Sequence, residues 1–131
     1  MATPQLTAAV VDDDESICRA LKRLLSSFGI RADTFNSGEA LLETLSSASS
    51  SLPGCLITDF EMPGIDGLEL QRRLVPTGVP IIFVTATDDD AVRGKALARG
   101  AIGYLHKPFD SDLLMRTVWI ALGLPQASEV L

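Results

Sequence analysis

Four short apolar runs in this chain lead to residues that can do chemistry. Val10-Val11 gives way to Asp12, Asp13 and Asp14, Leu56-Ile57-Thr58 to Asp59, Ile81 to Val84 to Thr85, and Tyr104-Leu105-His106 to Lys107. If those runs are neighbouring strands of one parallel sheet, their carboxyl ends share an edge, which is where ligand sites form in such sheets. Carboxylates, a hydroxyl and an ammonium then converge from four separate chain positions. Two carboxylates about 4 Å apart repel by roughly 4 kcal/mol at a surface-like dielectric, so the cluster calls for a cation. Hard carboxylate oxygens without His or Cys select Mg2+, with Mn2+ or Ca2+ as substitutes. The plainer account of an acidic run is a helix N-terminus stabilised by its dipole, and Asp14 and Glu15 are assigned to it. That account leaves out Asp59, at the exit of a buried run, and Lys107, beside Pro108 at the matching end of another.

The elements that must hold these residues follow from hydrophobic period. Leu6 to Val11 reads as a buried strand. From Ser16 the period changes, and Ile17, Ala20, Leu21, Leu24, Leu25 and Phe28 form one helical stripe that Gly29 terminates. Ile30 to Phe35 is a second strand, and Ser37 caps a helix carrying Ala40, Leu41, Leu42 and Leu45, with Glu39 in its first turn. Ser46 to Ser51 reads as a surface loop. Cys55 to Thr58 is a third strand, and a turn at Met62-Pro63-Gly64 leads to a helix near Ile65 to Val75. Val79 to Thr85 is a fourth strand, apolar on both faces as a central parallel strand should be. A helix over Asp88 to Ala98, a strand over Ala101 to Leu105 and a helix over Asp110 to Leu122, capped by Asp110 or Ser111, complete the chain. The alternation predicts an α/β fold: a doubly wound, five-stranded parallel sheet with helices on both faces.

Composition narrows the field. The 131 residues fit one domain, expected as 1–131 with a core over about 5–123 and a short tail at 124–131. With 47% hydrophobic and 21% charged residues the chain can bury a core without staples. A net charge of -6 argues against direct nucleic-acid contact by this chain. Cys18 and Cys55 lack companion ligands, which excludes a thiolate zinc site and a disulfide scaffold and suits a reducing compartment. The first residues lack the positive region of a signal peptide, and no apolar run reaches membrane-span length; a soluble cytoplasmic protein is expected.

The segments VVDDDES (10–16), TDFEMPGIDG (58–67), FVTAT (83–87) and YLHKPF (104–109) resemble, in order and spacing, the receiver domain of bacterial two-component response regulators. The likeness covers about residues 5–123 and is greatest to receivers of the nitrogen-fixation and luminescence-type regulator group. It implies the flavodoxin-like receiver fold and a phosphorelay role rather than an enzyme acting on its own substrate. Asp59 matches the phospho-acceptor. Asp12 and Asp13 match the acidic pair around Mg2+, Asp13 as a direct ligand and Asp12 through water, with Asp59 and the backbone carbonyl of Glu61 completing the protein ligands. Thr85 and Lys107 match the hydroxyl and ammonium that contact the phosphoryl group. Thr85 and Tyr104 match the switch pair, and Lys107-Pro108 matches a bond usually cis in the family. The implied partners are a histidine kinase or phosphotransfer protein upstream. Downstream stands another protein or the regulator's own output domain, reached through the face of the fourth helix, fifth strand and fifth helix. That face runs from Asp89 to Trp119, and a phosphorylation-dependent homodimer could form on it.

The chemistry of the residues agrees with this reading. A carboxylate attacks phosphorus once both negative charges are neutralised, and Mg2+, Lys107 and Thr85 would supply that from three directions. The alternative is a Mg2+-dependent phosphatase or phosphotransferase with an aspartyl nucleophile; such enzymes carry a second Asp two residues on, where this chain has Glu61. A nucleotide-binding module lacks its glycine motifs here. Glu61 and Thr87 lie two residues beyond Asp59 and Thr85, where the resemblance implies side chains that line the path of attacking water. His106 and Trp119 read as solvated or packed side chains, Arg72, Arg73, Arg93 and Arg99 as solvated helix faces, Cys18 and Cys55 as small core residues, and Gly67 as a close-packing position.

Overall fold

The computed structural model describes residues 6–47 and 51–124. Part of the expected serine loop (48–50), residue 5 of the expected core and positions 125–131 of the expected tail lie outside the described residues. Five strands, β1 (Thr7–Val11), β2 (Arg31–Phe35), β3 (Cys55–Thr58), β4 (Ile81–Thr85) and β5 (Gly103–His106), form one parallel sheet in the order β2-β1-β3-β4-β5. The helices between them are α1 (Glu15–Ser27), α2 (Gly38–Leu45), α3 (Gly67–Leu74), α4 (Asp90–Ala98) and α5 (Ser111–Ala121). Chain order reverses direction between β1 and β3, so the crevice outside the carboxyl ends of those two strands is the place for a ligand.

Period-two alternation sorts the strand side chains onto two cores. Ala8, Val10, Ile57, Ile82 and Val84 face α1 and α5, where Leu21, Leu25, Leu114 and Val118 meet them. Ala9, Val11, Leu56, Ile81 and Phe83 face the other way, onto Leu41 of α2, Leu70 and Leu74 of α3 and Ala96 of α4. Each fully buried Leu, Ile or Phe contributes roughly 1.5–3 kcal/mol, so both faces hold the central strands firmly. Cys18 and Cys55 are buried as expected, and burial pushes the Cys55 thiol up to about 12.

Boundaries differ from the sequence reading where a polar group redirects the chain. Asp14, Ser37, Asp66, Asp89 and Asp110 each cap the helix that follows, so α3 starts after Asp66 and α4 after Asp89. α3 stops at Leu74, and Val75–Thr77 with its Pro76 continues as one 3-10 turn. The fifth strand starts at Gly103 rather than Ala101, because the Ala101 N–H closes the end of α4 on the Ala96 carbonyl at 3.0 Å. That same carbonyl accepts the Nε2 of Gln71 from α3 at 2.9 Å, while the buried Oε1 of Gln71 has no partner among the described residues.

Candidate functional site

The expected residues meet at the switch point. Lys107, reached just beyond β5, donates its Nζ to Asp12 Oδ2 at 2.7 Å and to Asp59 Oδ2 at 3.0 Å. All three are screened from solvent: side-chain exposure is 16% for Lys107, 3% for Asp12 and 10% for Asp59. The cis Lys107-Pro108 bond expected from the resemblance is present. Asp13 is exposed, and its carboxylate lies with those of Asp12 and Asp59 so that one oxygen of each falls within 4.8 Å of the others.

Local backbone groups hold each carboxylate in place. Asp12 turns its other oxygen to the Asp14 N–H at 2.9 Å, and Asp59 turns its Oδ1 to the Phe60 N–H at 2.7 Å. Asp14 faces away from the cluster, accepting the Ser16 N–H and hydroxyl, and those bonds hold its carboxyl below the usual range. Asp13 thus lies in the carboxylate cluster, while Asp14 caps α1. Gly67 lets α3 pass directly over the acidic residue, because a Cβ there would strike the Asp59 carbonyl and sit 2.8 Å from the Phe83 ring.

The electrostatics show a cluster short of positive charge. Burial raises the pKa of Asp12, and the bonds from Lys107 and the Asp14 N–H reduce that rise without cancelling it. Burial also works against the Lys107 charge, but the two carboxylates outweigh it and hold its pKa above the ordinary lysine value. One ammonium is shared by two buried carboxylates with a third beside them. This donor set of hard oxygens, with no nitrogen or sulfur ligand, fits Mg2+.

Thr85 ends β4 at 1% exposure, and its hydroxyl accepts the Thr87 N–H at 3.2 Å. Its carbonyl accepts the Lys107 N–H at 2.8 Å, which ties the two strand ends together. Thr87 links what the sequence set apart. Its hydroxyl donates to Glu61 Oε1 at 2.8 Å, and its carbonyl accepts the Tyr104 hydroxyl at 3.3 Å. Tyr104 thus meets Thr85 by way of Thr87, with its ring stacked on Phe83 and its phenol pKa raised, chiefly by burial. His106 is exposed and Trp119 packs edge-on against Phe28, as the sequence suggests. Arg72 and Arg73 both grip Glu69, whose pKa they pull down to about 2.

The sequence reading missed Glu39 as more than a helix-start acid. Its Oε2 accepts the Ile65 N–H at 3.1 Å, from a residue 26 positions away. A carboxylate just inside a helix N-terminus gives no local sign of such a partner.

A family model for the response regulator receiver domain matches residues 8–119. The chain belongs to the response regulator receiver family. Its relatives include the response regulator protein TmoT of Ectopseudomonas mendocina, 38% identical over 92% of this chain and 54% of that protein. The DNA-binding transcriptional regulator NtrC of Escherichia coli K12 is 41% identical over 79% of this chain and 22% of its own length. Among solved structures, a response regulator receiver protein from Burkholderia phymatum superposes with a TM-score of 0.84 at 51% identity, covering 93% of this chain and 98% of its own. This receiver therefore spans about half the length of the first of these regulators, or less. Membership places it in phosphorelay signalling and does not favour the aspartyl phosphatase alternative. Among the described residues, no helix is long and apolar enough to cross a membrane.

Proposed function

We propose that this receiver takes a phosphoryl group on Asp59 from the phosphohistidine of a partner kinase or phosphotransfer protein, and that the resulting charge switches a protein-binding face. One observation carries the reading: Lys107 bridges Asp59 and Asp12 at the carboxyl edge of the sheet, with Asp13 beside them. An Asp59 oxygen attacks phosphorus, the N–P bond of the donor breaks, and the imidazole leaves with its electron pair. Bound Mg2+ would neutralise charge on the acceptor and on the phosphoryl oxygens; Asp13, Asp59 and the Glu61 carbonyl would hold it directly and Asp12 through water. Asp59 Oδ1 stays oriented by the Phe60 N–H, while Lys107 moves its ammonium from the two carboxylates to a phosphoryl oxygen. Thr85 offers its hydroxyl to another of those oxygens.

The whole of residues 1–131 acts as one such domain in the cytoplasm, with its output read by a downstream protein or by an output domain of a longer regulator. The face expected to carry the signal exposes Leu97, Ile102 and Leu113 around α4, β5 and α5, suited to a partner or to a second copy. Direct contact with nucleic acid is left to that partner, given the net charge of -6. The test is incubation with Mg2+ and a small acyl phosphate donor, followed by intact mass. One phosphate should add to the native chain and none to Asp59→Asn or to the native chain under chelation. Label retained in Asp59→Asn would remove the assignment.

A further inference from the structure

The loop between β3 and α3 carries Glu61, and it is fixed from outside by α2. Its ends are closed by its own backbone, the Gly67 N–H donating to the Phe60 carbonyl at 2.8 Å. Between those ends the first turn of α2 is shaped to the loop. Glu39 Oε2 accepts the Ile65 N–H at 3.1 Å, and the same carboxylate lies so close over Gly64 that a Cβ there would push it aside. Gly64 also has φ +79, a conformation that favours glycine. The preceding residue, Gly38, is buried, and a Cβ on it would come within 2.7 Å of the Ile65 side chain. Thus Gly38 leaves room for Ile65, Glu39 takes its N–H, and Gly64 leaves room for Glu39. Three neighbouring fits on two elements far apart in sequence exceed what a solvated helix-start acid needs.

We infer that Glu39 is a positioning residue for the metal site: by holding the Ile65 N–H it fixes the loop that presents the Glu61 carbonyl. The inference rests on the reading of that carbonyl as a Mg2+ ligand. Outer groups that orient a ligand typically change metal affinity by 10–100-fold. Glu39 is exposed and acts through four residues of backbone, so the effect expected is smaller, about fivefold, the equivalent of one hydrogen bond.

The experiment is a Mg2+ titration of the full chain by amide NMR, with hydrogen exchange at Ile65 as a readout free of metal. Glu39→Ala should weaken Mg2+ about fivefold and speed exchange at Ile65 by a similar factor, while the phosphorylation rate at saturating Mg2+ stays at the native value. Glu39→Gln, which keeps an acceptor at the same reach without charge, should restore both. Glu39→Asp, which keeps the charge and loses the reach, should behave like the alanine variant. Native Mg2+ affinity in Glu39→Ala, while Asp13→Ala abolishes the response, overturns the inference and leaves the metal reading standing. Equal weakening in Glu39→Gln and Glu39→Ala overturns it too, since that pattern marks long-range charge. A native chain that shows no response to Mg2+ overturns the metal reading and the inference with it.

Discussion

Replacing Lys107 with methionine asks how much of the site's cohesion is charge. Lys107 Nζ lies 2.7 Å from Asp12 and 3.0 Å from Asp59, and its side chain is 16% exposed. Without the ammonium, two buried carboxylates face each other and Asp13. At 4.8 Å, the upper bound on their nearest-oxygen spacing, like charges repel by about 3.5 kcal/mol at an effective dielectric of about 20. Removing one partner of a buried pair costs about 3–5 kcal/mol, and the partial exposure of this one puts Lys107→Met near the lower end, about 3 kcal/mol in urea at pH 7 with a chelator. Mg2+ should close most of that gap. It stabilises any receiver that binds it, by about 2.7 kcal/mol at a hundredfold excess over Kd, and the variant gains more because no ammonium competes for Asp12 and Asp59. Acid should close it as well. The native pKa of Asp12 is raised, so as pH falls the folded chain takes up that proton before the unfolded chain does, and the repulsion disappears with the charge. Lys107 itself, with its pKa raised, contributes fully below the ordinary lysine value and loses its contribution only as pH rises through the folded value, so it adds no slope between pH 4 and 7. A deficit that is the same with and without Mg2+ and at both ends of that range would refute the reasoning and assign the loss to packing of the lysine stem.

Gly67→Ala should destabilise the chain by about 2 kcal/mol in urea and slow phosphoryl acceptance, because the new methyl strikes the Asp59 carbonyl and the Phe83 ring; unchanged stability and rate would show that α3 can slide outward. Gln71→Leu removes a buried acceptor that has no partner among the described residues together with the bond to the Ala96 carbonyl, so global stability should change by less than about 1 kcal/mol while amides near Arg99 to Ala101 exchange faster. Native exchange there would mean that the backbone closure at Ala101 alone secures the end of α4.

The three inner strands, β1, β3 and β4, were legible because they are apolar on both faces, and every one of Ile81 to Thr85 is buried. The edge was harder. Ala101 and Ile102 extend an apolar run into β5, but the Ala101 N–H is spent on the end of α4, a hydrogen-bond choice that hydropathy does not encode. Helix starts moved by one or two residues wherever an Asp turned out to be the cap. For the site, parallel topology did the translation: once strands alternate with helices, a residue at a strand's exit is placed at one edge, and Asp12, Asp59, Thr85 and Lys107 needed no further information. Glu39 and Gln71 have no such rule. Their partners, Ile65 and Ala96, lie 26 and 25 residues away on other elements, and only the packing of α2 on the loop and of α3 on α4 brings them together.

Thr87 shows how the pocket and the outer face could share one equilibrium. Its N–H holds the Thr85 hydroxyl, its own hydroxyl holds Glu61, and its carbonyl holds Tyr104. In the proposed reaction the Thr85 hydroxyl donates to a phosphoryl oxygen, and the movement that brings it there would stretch the bond it accepts from the Thr87 N–H. A loop that loses one of three anchors can shift, and the weakest of the remaining two is the 3.3 Å bond from Tyr104. The tyrosine ring is stacked on the buried Phe83, so on the proposed function releasing its hydroxyl would favour a deeper position and change the surface between α4 and β5. Glu61 sits at the other end of the same connection, beside the phosphoryl acceptor. On the proposed function, a charge placed on Asp59 would act on Thr87 twice, through Thr85 and through repulsion of the Glu61 carboxylate, and both routes would loosen the same contact with Tyr104.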